Sequence, residues 1–330
     1  MDGRTNLTIG PRELYGELVQ AVVHGEADRY ADLFAPDGVL EMPFRRPGIP
    51  PAHRGREAIR AAAQTAWPAL PLRFEAVRDV RVHDTVDPSL VIAEHDLVGV
   101  GTGDGRPFSF PFLVLLWVRD GRITVFREYL NVVAVALATD RVAALVSSLD
   151  DPGAVAEMAP PVAPSGPVAP VGPSPEVEPG AGAGAAGPRE VFARYQRAVL
   201  DQSPDGIADL FAPDGVFEYG FTVPGMPRRT EGQEEVRRGL RQMLGRFRFE
   251  EYRNVRIHQA ADPEVVVVEH DIAGTIVATG RPHVMSYVYV LRVRDGRIVH
   301  LRDYANLLAA AEVSGGLAAF LDRFTTPSDR

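Results

Sequence analysis

Residues 31–41 read ADLFAPDGVLE and residues 208–218 read ADLFAPDGVFE, so the chain spells one unit twice. An offset of 177 also pairs Pro47-Gly48-Ile49-Pro50 with Pro224-Gly225-Met226-Pro227. After a two-residue deletion the offset is 175. It then pairs Glu94-His95-Asp96 with Glu269-His270-Asp271, Arg119-Asp120-Gly121-Arg122 with Arg294-Asp295-Gly296-Arg297, and Arg127-Glu128-Tyr129 with Arg302-Asp303-Tyr304. A period this long is a duplicated domain and not a solenoid repeat. A chain of 330 residues accommodates two such domains, each able to bury its own core. Any function must therefore account for two sites, or for one that works and one that has decayed.

Between Asp151 and Pro188 the composition turns to proline, glycine and alanine, with no periodic apolar pattern. Residues 151–188 are expected to be a solvated linker between a first domain, 1–150, and a second, 189–330. Net charge is −9 with scattered arginines, which argues against nucleic-acid or anionic-membrane partners. The N-terminus lacks a signal peptide's basic start and apolar stretch, and the longest apolar run, Phe110 to Val118, is too short to span a bilayer. A cytoplasmic protein is expected. The absence of cysteine excludes thiolate nucleophiles and cysteine metal sites.

Each half repeats one order of elements. Residues 11–24 carry Leu14, Leu18, Val19, Val22 and Val23 at helical spacing, and Ala27 to Leu33 reads as a second short helix. Pro36-Asp37-Gly38 is expected to turn into a brief strand, Val39 to Pro43. Gly55 to Trp67 reads as a third helix. Four strands follow, roughly 73–84, 90–100, 107–118 and 122–133, the last two joined by an Asp-Gly hairpin turn. A final helix, Val133 to Leu149 or Leu307 to Phe324, closes each half. Helices first and an antiparallel meander afterwards imply α+β and not a doubly wound parallel sheet.

This order, with its LFAPDG corner, GREAI helix start and RDGRI…REY closing hairpin, resembles the SnoaL-like branch of the NTF2-like superfamily. The resemblance implies two tandem cystatin-like cones, each a curved antiparallel sheet wrapped around helices. More closely, Asp87-Pro88 with Glu94 and Asp96, and Arg127-Glu128-Tyr129-Leu130-Asn131, resemble motifs of the phenazine-biosynthesis A/B proteins. Asp262-Pro263, Glu269, Asp271 and Arg302-Asp303-Tyr304-Ala305-Asn306 repeat them. That resemblance implies a catalytic proton carrier at Glu128 and Asp303. The family's helix histidine has no counterpart, because Ala62 and Gly239 fall there. A more distant similarity to limonene-epoxide hydrolases covers Asp303 and Asp96 or Asp271, with Glu94 and Glu269 where that family has arginine. Ketosteroid isomerases share a helix tyrosine at Tyr195, but Met42 and Tyr219 stand where their catalytic aspartate would be.

Strand alternation places Glu128 with Phe126 and Leu130, and Asp303 with Leu301 and Ala305. An acid in an apolar stripe faces inward and has a raised pKa, as isomerisation, cyclisation or epoxide opening requires. Glu94 with Asp96, and Glu269 with Asp271, share a strand face, so each pair is either a coupled acid–base couple or a salt-bridged outer surface. His95 and His270 point the other way and are read as structural. A metal site is not expected, because Glu-His-Asp splits its ligands between two faces. Tyr195, Tyr219, Tyr287, Tyr289, Trp67 and Phe112 are candidate pocket walls, with core packing as the alternative role. The second half's extra tyrosines favour that half if only one is active. Arg45, Arg46, Arg228 and Arg229 flank the Pro-Gly-x-Pro loops, which read as pocket rims or as ordinary solvated loops.

The expected function is a cofactor-free acid/base enzyme of secondary metabolism acting on a largely apolar small molecule. The alternative is a non-catalytic binding or accessory protein. The duplication and the linker also suggest that the halves pair as an internal pseudo-dimer, with a homodimer of the chain as a further option.

Overall fold

The computed structural model describes residues 9–44, 49–149 and 185–325. The chain divides into two compact units, Met1–Met158 and Ala159–Arg330. Of the expected linker, residues 151–184 lie outside the described residues, as do Arg45, Arg46, Pro47 and Gly48.

In the first unit the elements are α1 (Pro11–His24), α2 (Ala27–Asp32), β1 (Phe34–Glu41), β2 (Ala52–Arg54), α3 (Arg56–Ala69), β3 (Leu72–Asp84), β4 (Leu90–Gly101), β5 (Pro107–Arg119), β6 (Arg122–Leu130), α4 (Val132–Ala138) and α5 (Val142–Leu149). The second unit repeats them as α6 (Pro188–Leu200), α7 (Pro204–Ala208), β7 (Phe211–Tyr219), β8 (Arg229–Glu231), α8 (Gln233–Met243), β9 (Phe247–Gln259), β10 (Val265–Ile276), β11 (Arg281–Arg294), β12 (Arg297–Ala305), α9 (Leu307–Val313) and α10 (Leu317–Thr325). Each unit has one six-stranded sheet, ordered β2-β1-β6-β5-β4-β3 and β8-β7-β12-β11-β10-β9. Pairing is antiparallel except where β1 runs parallel to β6 and β7 to β12. The α+β expectation is met twice. Among the described residues no helix is long and apolar enough to cross a membrane.

Local chemistry explains the frame. Pro11 and Pro188 start α1 and α6 at positions whose N–H groups have no helical partner anyway. The buried stripes Leu14, Tyr15, Leu18, Val19 and Val191, Phe192, Tyr195, Val199 face the sheet. Each closing hairpin has a two-residue loop, Asp120-Gly121 or Asp295-Gly296, with positive φ at both residues, the geometry that matches strand twist. Arg60 of α3 bonds Asp28, Asp32 and Glu57, and Arg237 of α8 bonds Asp205, Asp209 and Glu234. The same clamp therefore ties helix to helix in both units.

Two expected features differ. Pro36-Asp37-Gly38 is not a turn before the strand but part of β1, where the pairing with β6 shifts register between Phe34 and Val39. Gly38 allows it, because a Cβ there would stand 2.9 Å from the Ile123 carbonyl oxygen; at Gly215 the distance to the Ile298 oxygen would be 2.7 Å. The closing helix is split in two. Asp140 adopts φ 52° between α4 and α5, and Gly315 and Gly316 adopt φ 93° and 104° between α9 and α10.

Bulges supply curvature. The β3/β4 register shifts between Phe74 and Ala76 and between Arg78 and Arg81, and β9/β10 shifts at two matching places. Asp79 and Asn254, at φ 52° in both cases, occupy the bulges; short polar side chains tolerate that left-handed backbone. The strands thus bend over α1 or α6, and the concave face becomes the core.

Candidate active site

The β6 sequence Arg127-Glu128-Tyr129-Leu130-Asn131 distributes its side chains by alternation. Arg127 pairs with Glu41 at 2.7 Å and lies over Trp117, both groups of the ion pair being nearly buried. Tyr129, on the same face as Arg127, packs edge-on against Phe44 with centroids 4.8 Å apart. Asn131 caps α4, its side chain accepting from the Ala134 N–H at 3.1 Å. Glu128 and Leu130 point to the concave side. In the second unit Arg302 bonds Glu218, Tyr304 packs on Phe221 and Asn306 caps α9. Asp303 takes the place of Glu128.

In the first unit the concave face encloses a cavity of about 730 Å³, within the range of small-molecule sites. Glu128 lines it together with Tyr30, Trp67, His95, Phe112 and Phe126. Its side chain is half-buried in the cavity wall. Burial alone pushes its pKa from the ordinary 4.5 up to about 7. Glu128 thus points inward, and Trp67 and Phe112 lie in the cavity wall. A carboxyl that gains and loses a proton near neutrality can serve as base in one step and acid in the next.

The second unit keeps the acid but surrounds it with aromatic rings. Leu18, Leu40, Met42, Val77, Phe112 and Val114 all line the first unit's cavity. Their counterparts are Tyr195, Phe217, Tyr219, Tyr252, Tyr287 and Tyr289. These rings pack on one another: Tyr195 lies 5.8 Å from Tyr289, and Tyr287 lies 5.7 Å from Tyr289. Tyr195, Tyr287 and Tyr289 are each buried within the core. Asp303 sits among them, and burial raises its pKa from 3.8 to about 8. Among the described residues its Oδ1 and the Tyr252 hydroxyl have no hydrogen-bond partner.

Glu94, Asp96, Glu269 and Asp271 lie on the opposite face of their strands from the cavity or tyrosine cluster. Glu94 accepts from or donates to His83 Nε2 at 2.7 Å, and Glu269 does the same with His258 at 2.8 Å. Asp96 accepts from the Ser109 hydroxyl at 2.7 Å and Asp271 from the Asn254 amide at 2.6 Å. They are therefore partnered groups of the outer face and not an acid–base couple beside Glu128 or Asp303. The Asp-Pro residues are turn formers: Asp87 accepts from the Ser89 N–H at 2.9 Å and Asp262 from the Glu264 N–H at 3.0 Å. Among the described residues no cluster of three or more His, Asp or Glu side chains is placed to hold a metal ion.

Two cavity groups escaped the sequence reading. Tyr30 of α2, buried beside Trp67 at 5.2 Å, has its phenol pKa raised first by burial and then by the charge of Glu128. His95 lines the cavity, and Tyr15 Oη stands 3.0 Å from its Nδ1. The signal for Tyr30 was its place next to the LFAPDG corner. Alternation places His95 opposite Glu94 and Asp96 and reads it as structural; which of the two faces borders the cavity is not written in the strand.

A family model described as SnoaL-like domain matches residues 15–126 and again residues 192–301. The uncharacterized PhzA/B-like protein PA3332 of Pseudomonas aeruginosa is 34% identical over 120 residues, which are 36% of this chain and 83% of that protein. The uncharacterized protein YesE of Bacillus subtilis is 28% identical over 127 residues, 38% of this chain and 86% of that one. Among solved structures, a phenazine biosynthesis-related protein of Pseudomonas aeruginosa aligns over 43% of this chain and 89% of its own length, with 23% identity and a TM-score of 0.31.

Proposed function

The chain belongs to the SnoaL-like family in both of its halves, and on that premise we propose that its first half is a cofactor-free acid/base enzyme. It binds a drug-sized, largely apolar small molecule and moves a proton within it, as an isomerase or cyclase does. The observation that carries this reading is the Glu128 carboxyl, held near pKa 7 in the wall of a 730 Å³ apolar cavity. As carboxylate it removes a proton from a carbon next to a carbonyl group; as carboxylic acid it returns that proton elsewhere. Burial has placed the group where both forms are populated at neutral pH. The second half keeps the frame and an inward acid, but rings that pack on one another surround Asp303 where smaller side chains line the first half's cavity; we propose a non-catalytic role for it.

The test uses 2-tetralone, a bicyclic ketone with acidic α-hydrogens, and follows their exchange with D₂O by NMR. The full chain accelerates exchange, with a rate rising through about pH 7 as Glu128 ionises. Glu128→Gln reduces the accelerated rate by roughly 10²-fold or more, the usual contribution of a positioned general base. Unchanged exchange in that variant would sink the proposal.

A further inference from the structure

We propose that His95 is a second working group of the first unit's cavity: a neutral hydrogen-bond donor that presents Nε2–H to a substrate oxygen, with Tyr15 as the positioning residue that fixes this form. The inference rests on the acid/base reading of Glu128, and it gives that site its electrophilic half.

The geometry begins with β4. His95 lines the cavity, and its ring stacks flat on Phe112 with centroids 5.3 Å apart and planes within 6°. Its Nδ1 meets the Tyr15 hydroxyl at 3.0 Å. Tyr15 belongs to α1 and is 4% exposed. Burial raises its phenol pKa well above the ordinary value, so the hydroxyl keeps its proton. A phenol is a better donor than a neutral imidazole N–H, so Tyr15 donates and Nδ1 accepts. The imidazole proton then sits on Nε2, the nitrogen that Tyr15 does not engage, on a ring that lines the cavity. Burial also lowers the His95 pKa to about 4, so the ring is neutral at pH 7.

The second unit supplies an internal comparison. His270 is stacked on Tyr287 in the same way, at 5.4 Å, but Phe192 replaces Tyr15 and removes the hydroxyl. Tyr289 closes over the ring at 4.6 Å. The His270 ring approaches the Val268 carbonyl, yet among the described residues neither of its nitrogens makes a well-formed hydrogen bond. The hydroxyl that sets the tautomer is thus present beside the first unit's cavity and missing from the second unit.

Register fixes the spacing. His95 stands opposite Phe112, which stands opposite Leu130, two residues along β6 from Glu128. Two strand spacings across and two residues along place the Cα atoms roughly 12 Å apart. Both side chains reach inward from a concave sheet, which leaves room between them for a carbonyl and its neighbouring carbons. When the Glu128 carboxylate takes the α-proton, the C–H electron pair becomes a C=C bond and the carbonyl oxygen gains the negative charge. His95 Nε2–H stabilises that oxygen by a hydrogen bond without transferring its proton. Glu128 then returns the proton to carbon, and the balance closes with no other reactant.

The experiment uses the full chain labelled with ¹⁵N-histidine, with the His95 resonances assigned by His95→Gln, and reads the tautomer at pH 7. Wild type is expected as neutral Nε2–H, and Tyr15→Phe, a change the second unit already carries at Phe192, as a tautomer mixture. A wild-type ring that is protonated or Nδ1–H overturns the inference. In parallel, 2-tetralone and tetralin, a hydrocarbon of the same shape without the carbonyl, are titrated by calorimetry. Wild type and Glu128→Gln are expected to prefer the ketone at least fivefold, and Tyr15→Phe and His95→Gln to lose at least half of that preference. A preference unchanged in Tyr15→Phe and His95→Gln refutes the role of His95 even if Glu128→Gln abolishes exchange. Conversely, exchange unaffected in Glu128→Gln removes the acid/base reading, and the tautomer still decides this one.

Discussion

Replacing Asp303 by asparagine is expected to stabilise the second unit, increasingly so as pH rises. In the folded chain the carboxyl is held at about 8 by burial, against an ordinary value of 3.8. A raised folded pKa means that the native state holds a proton the unfolded chain has released. Stability is therefore greatest below about pH 4, falls as pH rises between the two values, and levels off above about pH 8. The gap of about 4 pH units corresponds to about 1.4 kcal/mol each, so the wild type forfeits up to about 5 kcal/mol by pH 8 and about 4 kcal/mol at pH 7. Asparagine cannot ionise, but its amide also needs partners, and Oδ1 at this position has none among the described residues. Allowing roughly 2 kcal/mol for that burial leaves an expected gain of about 2 kcal/mol at pH 7, turning to a loss of more than about 1 kcal/mol near pH 4. The measurement is urea unfolding of wild type and Asp303→Asn from pH 4.5 to 8.5, followed by near-ultraviolet circular dichroism of tyrosine. Both tryptophans, Trp67 and Trp117, belong to the first unit, so their emission follows that unit separately. A stability difference between the two proteins that stays constant across this pH range would refute the buried, protonated carboxyl.

Transplanting the second unit's rings with Leu18→Tyr and Val114→Tyr, the counterparts of Tyr195 and Tyr289, should fill the cavity; calorimetry with 2-tetralone is expected to show at least a tenfold loss of affinity while far-ultraviolet circular dichroism is retained. Asn131→Ala removes the α4 cap and should cost about 1 kcal/mol in thermal unfolding, and Asn306→Ala should cost about as much at α9; no loss in either would mean that the caps are ornamental.

How much of this was legible beforehand depends on what kind of signal each part leaves. The duplication, the Asp-Gly hairpins and the α+β order are written in local residue types, and they appear where expected. The inward direction of Glu128 was legible because Phe126 and Leu130 flank it on one face and Arg127 marks the other. β4 gave no such guide. Its sequence LVIAEHDLVGVG is apolar on both faces, so alternation showed that His95 opposes Glu94 and Asp96 without telling which side is hollow. The linkage of Tyr15 to His95 spans 80 residues and is made by packing a helix on a bent sheet, which no local pattern reports. The split closing helices turned on a single left-handed residue, Asp140, and on Gly315-Gly316. Whether a tyrosine borders a void or fills one is a matter of volumes summed over several strands, and composition is silent about it.

The doubled frame has one further consequence. The positions that hold the backbone in shape are the same in both units: the glycine under the β1 or β7 bulge, the arginine clamp between helices, the Asp-Gly corner and the asparagine cap. None of these contributes a side chain to the concave interior. Robustness and evolvability are thereby assigned to different residues. A lineage can exchange the side chains that face the concave interior without disturbing the instructions that make the chain fold. The first unit and the second are two outcomes of that freedom in one molecule.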